Sequence, residues 1–420
     1  PWTLYRHYGN IDVLKNCQQS MIKWCEYLWS ISNSPIIRNP KSSTLLESIK
    51  LRGFTFGDWV PPIGDDRTPN PHIGDDCYST IYHFISNSLL SKISKILGDE
   101  KNYTLYKNKS DEIKKAFADE FITPSGRLAY SDQTSYAMCF VNDLIPDEKK
   151  DNAKEYFKQT ILNQNFKLGT GFHGTANLLK GLKKAGLEEM IERVLLQEKL
   201  PGWMYQIKQG ATSIWERWNA MAEDDSIHDP EMNSFNHYAF GSVCEFIFEN
   251  IVGIKSDDKL PSFKKIIIDP LIIPSLLPIS FQHQSIHGEI KVDIKIENKK
   301  VTMLIDIPNG ITGELRLTKY NNIKVNTTSK GLSYYANAVY PEVEFSSEDK
   351  YIVTSYEDRL DLLAYDYYGD EGLWWVISRA NPDVTRRDSF FITSGVQIRI
   401  PDKNIIPSLL LDFEKINARR

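Results

Sequence analysis

One glutamate between two tryptophans is the part of this sequence best suited to chemistry. Glu216 lies in the run WERW (residues 215–218), and a second aromatic run, GWMY (residues 202–205), precedes it. Indole rings stack on the apolar face of a sugar, and a carboxylate can activate a water molecule beside the anomeric carbon. The cluster therefore suits glycoside hydrolysis, with Glu216 as the candidate catalytic residue and Trp203 and Trp215 as candidate sugar contacts. The alternative is packing, with Glu216 paired to Arg217 and the tryptophans in the core.

Three further segments carry polar or flexible residues. Asp58, in FGDW (residues 56–59), suits hydrogen bonds to sugar hydroxyls, although the spacing alone favours an aspartate that caps a helix or turn. Asp132 precedes an apolar helical pattern and could be an N-cap. The glycine-rich residues 169–175 follow no predicted strand and lack the phosphate-loop lysine, so a nucleotide site is not favoured. We expect these glycines to let backbone pass closely at the start of a helix.

Composition excludes several classes of function. Among 420 residues, 50 Lys and Arg stand against 55 Asp and Glu, so there is no basic surplus to neutralise the phosphates of a nucleic acid. No run of about 18 apolar residues appears, which argues against a membrane span. The five cysteines are scattered without CxxC spacing, so reduced thiols are expected rather than a disulfide scaffold or a zinc site.

In the first 252 residues, the elements that position the candidate residues are predicted to be helices. Apolar residues recur at three- and four-residue steps in residues 77–97, and the same pattern returns in 103–121, 152–162 and 178–195. Gly186 marks a break between two helices within the last of these segments. Many helices with short loops predict an all-α domain.

The periodicity changes after Gly253. Ile290, Val292, Ile294 and Ile296 alternate with charged residues, and the alternation resumes at Val301 after a possible turn. This pattern predicts two antiparallel strands of a small β-sandwich over residues 253–317.

The last zone, residues 318–420, predicts a polar arm followed by a βααβ unit. Residues 320–348 are rich in Asn, Ser and Tyr and read as an extended arm. The predicted unit has strands at residues 351–353 and 396–400 and helices at 357–367 and 373–380. We expect Trp374, Trp375 and Ile377 to form its compact core.

Several motifs together resemble the catalytic domain of the α-L-rhamnosidases, glycoside hydrolase family 78. In chain order they are TGFHGT with the following LL, LLQEKLPGWMY, KQGATSIWERW and DPEMNSFNHYAFG, with FGDWVPP and DQTSYA upstream. KLPSFKKIIIDPLI and the alternating strands match the family's C-terminal β-sandwich. The resemblance covers about residues 1–317 and implies an (α/α)6 barrel whose inner helix ends and loops form the sugar pocket. It also implies inverting hydrolysis of terminal α-L-rhamnosides in a rhamnose-containing glycoside or oligosaccharide, with no cofactor or metal ion.

The resemblance assigns roles to individual residues. Glu216 in WERW corresponds to the general base that activates water, and His237 in NSFNHYA corresponds to a sugar-contacting histidine. Trp59 and Trp215 resemble aromatic residues of the pocket wall. Asp58 would be a ligand of a sugar hydroxyl.

This sequence departs from the family in two ways. His173 occupies a position where TGF-x-GT usually has an aliphatic residue, which could alter the pocket or only the packing. The family's general acid lies upstream in a motif resembling D-x-x-x-x-x-E-R-L-G-W, and no such motif occurs here. Inverting hydrolysis needs two carboxyl groups about 6.5–9.5 Å apart. We therefore expect an N-terminally truncated glycosidase with an incomplete barrel, which binds rhamnose poorly and turns over little.

The C-terminal hundred residues resemble an unrelated family. KYNNIKV, RLDLLAYDYYGDEGLWWVISRANPD and GVQIRIP are similar to baseplate wedge proteins of contractile-tailed phages that carry a LysM-like module. This resemblance implies a structural role, with baseplate proteins as partners and the virion as location. The glycosidase interpretation, with no visible signal peptide, instead predicts a cytoplasmic protein. A natural fusion, a misassembled gene and a designed chimera would all give such a join near residue 318.

Overall fold

The structure is a computed structural model, and its described part falls into two compact units. It describes residues 1–32, 34–38, 55, 57–62, 73–222, 224–227, 233–297, 300–316, 325–327, 333–335, 340–355, 358–385 and 390–418. The first unit comprises Pro1–Ile273, Gln284–Glu289 and Ile307–Arg316, and the second comprises Pro274–His283, Ile290–Asp306 and Leu317–Arg420. The sequence-based boundaries at residues 252 and 317 stay predictions.

Helices make up most of the first unit, as the sequence predicts. In chain order they are α1 (Trp2–Tyr8), α2 (Ile11–Ser32), α3 (Asp75–Ile96), α4 (Glu100–Phe121), α5 (Gln133–Val141), α6 (Lys150–Asn163), α7 (Phe172–Ala185), α8 (Ile191–Leu195), α9 (Trp203–Lys208) and α10 (Val243–Phe246). Apolar periodicity predicted α3, α4, α6, α7 and α8 to within a few residues. Gly186, the predicted break, ends α7 with φ 70°, a conformation that glycine adopts without a Cβ penalty.

These helices pack in pairs. α3 lies against α4, and α5 lies against α7. Gly181 of α7 approaches α5 so closely that a Cβ there would lie 2.6 Å from the Cα of Ala137. The missing side chain lets the two backbones meet and places the first turn of α7 beside the first turn of α5.

The helical part ends where the periodicity changes. Gly253 has φ 85°, and a Cβ at this position would overlap the backbone of Pro270. The strands follow. They are β1 (Ile254–Ser256), β2 (Lys265–Ile268), β3 (Ile279–Ser285), β4 (Gly288–Glu297), β5 (Lys300–Asp306), β6 (Thr312–Leu315), β7 (Val325–Thr327), β8 (Ser333–Tyr335), β9 (Lys350–Val353) and β10 (Gln397–Ile400).

Two three-stranded sheets occupy the predicted β region. In one, β2 pairs antiparallel with β1 and parallel with β6. In the other, β4 lies between β3 and β5. The register of β4 with β5 sets Val292 opposite Ile305 and Ile294 opposite Met303, so the structure confirms the predicted hairpin. The parallel pairing of β6 was not predicted.

The second unit contains the predicted βααβ arrangement. β9 and β10 pair antiparallel, and between them the chain forms α11 (Leu360–Tyr368) and α12 (Trp374–Ala380). Trp375 and Ile377 are buried in its core, as predicted, while Trp374 is partly buried against it. A further helix, α13 (Ile406–Ala418), was not predicted and adds Leu409 to this core. The LysM-like assignment and the baseplate role stay predictions.

A buried ion pair joins the segment before β9 to this core. Arg399 donates to a carboxylate oxygen of Asp349 at 2.8 Å and to the carbonyls of Val343 and Glu344. Of the predicted polar arm, residues 320–348, the structure describes only the antiparallel pair β7 and β8 and residues 340–348. The rest of that prediction lies outside the described residues.

Candidate active site

Residues 169–175 are the point where the other motifs meet. Phe172, the first residue of α7, donates its backbone N–H to the carbonyl of Trp59 at 2.9 Å. The indole N–H of Trp218 donates to the carbonyl of Thr170 at 3.3 Å. Gly169 donates its N–H to the side-chain oxygen of Gln133 at 2.8 Å. The glycine-rich segment therefore fixes GDW, WERW and DQTS relative to one another.

The carboxylate of Asp58 accepts four of the hydrogen bonds that connect these segments. One carboxylate oxygen accepts hydrogen bonds from the Thr134 hydroxyl at 2.6 Å and the Gly171 N–H at 2.7 Å. The other accepts the N–H groups of His173 and Gly174, both at 2.9 Å. The first N–H groups of a helix have no partner within that helix, so Asp58 caps α7 from a distant part of the chain.

This geometry changes the role expected for Asp58. Its side chain is buried, and four donors occupy the roughly four lone-pair sites of a carboxylate. No lone pair is then left for a sugar hydroxyl. The structure therefore favours the capping alternative over the ligand role that the resemblance implied.

The glycines of TGFHGT are explained by the same contacts. A Cβ on Gly174 would overlap the Thr134 hydroxyl and the Asp58 carboxylate. A Cβ on Gly171 would overlap the backbone carbonyls of Asp58 and Trp59. The structure confirms that these glycines let backbone and side chains pass closely at a helix start.

The turn that carries Asp58 is strained. Gly57 has φ 64°, and Val60 has φ 56°. A β-branched residue in the left-handed region is a genuine outlier, and such a conformation persists only where the surroundings hold it. The bonds of Asp58 and Trp59 to α7 provide that restraint.

Asp132 has the predicted capping role at the start of α5. Its carboxylate accepts the Ser135 N–H at 2.9 Å and the Ser135 hydroxyl at 2.6 Å. Burial raises the pKa of Asp132 to about 6, although the bonds from Ser135 act in the opposite direction.

The indoles expected to contact sugar are mostly buried. Trp203 and Trp215 are 7% and 3% exposed, and Trp203 donates its N–H to the carbonyl of Phe240. Trp215 packs edge-on against Phe235, with ring centroids 5.3 Å apart. The structure favours the packing alternative for both indoles. Trp59, in contrast, is only partly buried.

Glu216 is positioned by the chain segment that carries His237. Its backbone N–H donates to the carbonyl of Ser234 at 2.8 Å, and its Oε2 accepts the Ser234 N–H at 2.9 Å. His237 donates its N–H to the carbonyl of Ile214, two residues before the glutamate. The side chain is partly exposed, and among the described residues no hydrogen bond reaches Oε1. One oxygen is thus fixed, and no described residue bonds the other.

His237 connects this glutamate to the glycine-rich segment. Its ring stacks on the ring of Phe172, with centroids 4.9 Å apart, and its Nδ1 accepts the N–H of Ala239. Hydrogen bonds and ring contacts therefore link the segments that carry Glu216, His237 and Trp59.

Sequence reasoning missed three contributors to this arrangement. Thr134 bonds Asp58, Ser234 orients Glu216, and Phe172 supports His237. The only signal in the sequence is that Thr134 and Ser234 are small polar residues within the DQTSYA and NSFNHYA motifs. Their partners lie on other segments and could not be identified from spacing.

Other chemistry is not apparent in the described part of the chain. All five cysteines are free, and Cys25, Cys77 and Cys139 are buried. No cluster of three or more His, Cys, Asp or Glu residues suited to a metal ion occurs among the residues described. Within the same residues, no helix has both the length and the apolar character needed to cross a membrane.

Comparison with known proteins agrees with these motifs. Residues 1–251 match the bacterial α-L-rhamnosidase six-hairpin glycosidase domain, and residues 253–331 match the bacterial α-L-rhamnosidase C-terminal domain. An α-L-rhamnosidase of Formosa agariphila is 28% identical over 345 residues, which are 80% of this chain and 35% of that protein. An α-L-rhamnosidase of Alteromonas sp. is 29% identical, covering 79% of this chain and 35% of its own length.

Solved structures give the same result. The α-L-rhamnosidase of Streptomyces avermitilis, complexed with L-rhamnose, superposes with a TM-score of 0.68 at 26% identity, over 80% of this chain and 31% of that one. The enzyme of Aspergillus terreus gives 0.67 at 25% identity, over 80% and 37%. The chain thus spans about a third of the length of these relatives. Because the six-hairpin model matches more than half of its residues, this chain belongs to the bacterial α-L-rhamnosidase six-hairpin glycosidase family.

Proposed function

We propose that this chain acts on terminal α-L-rhamnosides, with Glu216 as the general base of hydrolysis. The observation that carries the proposal is the orientation of the Glu216 carboxylate. Ser234 holds Oε2 through its backbone N–H, and Oε1 has no bond from a described residue. A general base needs one oxygen within hydrogen-bond reach of the water whose proton it takes. The names of the matched relatives support rhamnoside as the substrate class.

The surrounding residues receive different roles in this proposal. Trp59 and His237, which are partly exposed, contact the rhamnose ring. Asp58 holds the GDW turn against α7 rather than touching the sugar. Trp203 and Trp215, which are buried, pack in the core rather than contacting the sugar.

Hydrolysis on this scheme proceeds with inversion. A water molecule activated by Glu216 attacks the anomeric carbon while a second carboxyl group protonates the leaving oxygen from the opposite face. The first product from an α-L-rhamnoside is then β-L-rhamnose, which proton NMR detects before mutarotation.

The proposal is tested by Glu216→Gln. The glutamine side-chain oxygen can still accept the Ser234 N–H, so the fold is expected to be unchanged, while its amide cannot take a proton from water. Release of nitrophenol from an aryl α-L-rhamnoside should fall by about 10²- to 10⁴-fold, the usual contribution of a general base.

A matched control is Glu245→Gln, which alters an exposed glutamate paired with Lys180. Its rate should equal that of the unaltered chain. Equal rates for Glu216→Gln and Glu245→Gln, with measurable cleavage by the parent, would exclude Glu216 as the base.

A further inference from the structure

His173 lies at the same helix start, and one of its ring nitrogens is held by a tyrosine hydroxyl. Its Nδ1 is 2.7 Å from the hydroxyl of Tyr78 on α3. The rings of Tyr78 and Tyr82 both stand edge-on to the imidazole, each with centroids 5.6 Å away. His173 is exposed, and no hydrogen bond from a described residue reaches its Nε2.

The backbone around His173 is fixed as firmly as its ring. Its N–H donates to Asp58, and its carbonyl accepts the side-chain amide of Asn177 at 2.8 Å. The preceding residue, Phe172, contacts both the Trp59 carbonyl and the ring of His237. His173 therefore stands beside the residues assigned to sugar contact, on a segment with little freedom to move.

A structural role explains only part of this arrangement. A buried tyrosine hydroxyl needs a hydrogen-bond partner, and His173 supplies one to Tyr78, which is 6% exposed. That need would be met equally well by an imidazole whose second nitrogen was covered by protein. Here no described residue bonds the second nitrogen, and the Tyr78 bond fixes the orientation of the ring. A histidine held through one nitrogen presents the other in a defined orientation and tautomer.

We propose that His173 is a specificity-determining residue that binds a hydroxyl group of the bound glycoside through Nε2, with Tyr78 as its positioning residue. This inference rests on the proposed function and adds a polar contact at the start of α7. The ligand class is a hydroxyl-bearing sugar, because a neutral imidazole nitrogen exchanges one hydrogen bond with a hydroxyl without requiring a charge.

The test is binding of L-rhamnose to the full chain, measured by isothermal titration calorimetry, together with urea unfolding of each variant. His173→Leu should raise the Kd about five- to tenfold, the effect of losing one neutral hydrogen bond. His173→Gln, which keeps a donor and an acceptor, should recover part of that loss. The control His7→Leu removes a histidine of α1 that packs edge-on against Phe263, and it should leave the Kd unchanged.

Tyr78→Phe separates positioning from packing. It should raise the Kd about threefold in the parent chain and have no further effect in His173→Leu, because the tyrosine acts through the histidine. An equal effect of Tyr78→Phe in both backgrounds would overturn the positioning role. If His173→Leu binds L-rhamnose with the same Kd as the parent chain, the inference is overturned and the proposed function is left intact. A parent chain that neither binds L-rhamnose nor cleaves an aryl α-L-rhamnoside would overturn both.

Discussion

Asp58 decides where the GDW turn lies, because its carboxylate is the common acceptor for four donors on two other segments. In Asp58→Asn one side-chain oxygen is replaced by an N–H₂ group that faces N–H donors. At least one buried donor then loses its acceptor. We expect the free energy of unfolding to fall by about 3 kcal/mol in urea titrations at neutral pH.

Asp111→Asn is a suitable control for that measurement. Asp111 pairs with Lys107 on the exposed side of α4, and its side chain is 60% exposed. Surface pairs of this kind contribute little, so the change should be within about 0.5 kcal/mol. Similar losses in the two variants would contradict the capping role of Asp58.

Two buried groups change the stability of the first unit in opposite directions as the pH falls. Burial lowers the pKa of His83 to about 4, and burial raises the pKa of Asp132 to about 6. Between pH 7 and 4 the unfolded chain binds a proton at residue 83 that the folded chain does not, so His83 lowers stability on acidification. Over the same range the folded chain binds a proton at Asp132 before the unfolded chain does, so Asp132 raises stability on acidification.

Single substitutions should expose each response. Asp132→Asn keeps a capping side chain and removes the titration, so its loss of stability from pH 7 to pH 4 should exceed that of the parent by about 2 kcal/mol. His83→Gln should deviate in the opposite direction by a similar amount. Urea unfolding across this pH range measures both, and parallel pH profiles for parent and variants would show that neither group titrates as described.

At this scale the sequence predicted residue types better than residue roles. Asp132 could be identified as a cap because its partner is three residues away. For Asp58 the spacing favoured a cap but could not identify the helix that it caps, because its partners are 76 to 116 residues away and only the folded chain brings them together. Trp203 and Trp215 could not be assigned either, because an indole suits a core and a sugar pocket equally well.

Among the helices, the contact between α5 and α7 controls the position of the whole site. Gly181→Ala would place a methyl group 2.6 Å from the Ala137 Cα and 3.0 Å from its carbonyl oxygen, and neither backbone atom can rotate away. The two helices must separate, so unfolding should become easier by about 1–3 kcal/mol, the usual effect of overpacking. Calorimetric or urea unfolding measures the change.

Gly241→Ala provides the comparison at a less crowded glycine. Its nearest neighbour for a new Cβ is the Ile214 side chain at 3.4 Å, and its backbone is not left-handed. Its effect should stay within about 0.5 kcal/mol. If the two variants are equally stable, the close approach of α5 and α7 is not what holds them.

Apolar periodicity was sufficient to predict most helices and strands, but it did not predict which of them pair with one another. The three- and four-residue spacing found α3, α4, α6 and α7, and alternation found β4 and β5, because burial of one face imposes those periods. β6 has only four residues and no alternating burial. Its parallel pairing with β2 joins residues about 50 positions apart, and nothing local specifies it.

At the scale of the whole molecule, the matched family covers most of this chain, whereas this chain covers only about a third of its relatives. The match to the six-hairpin domain fixes the family, while this chain spans 35% of its Formosa relative. Base and acid act on opposite sides of the glycosidic bond, and the proposed base is the only one of the pair with a recognisable motif in this sequence.

A series of leaving groups therefore tests the chain as it stands. Dinitrophenolate departs without a proton, whereas methoxide requires one, so an enzyme with a base and no efficient acid should cleave only the activated rhamnoside. We expect kcat/KM for dinitrophenyl α-L-rhamnoside to exceed that for methyl α-L-rhamnoside by at least about 10²- to 10⁴-fold, the contribution that a general acid normally makes. Glu216→Gln should abolish cleavage of the activated substrate too, because water attack still requires the base. Similar kcat/KM values for the two rhamnosides would show that a carboxyl group of this chain already serves as the acid.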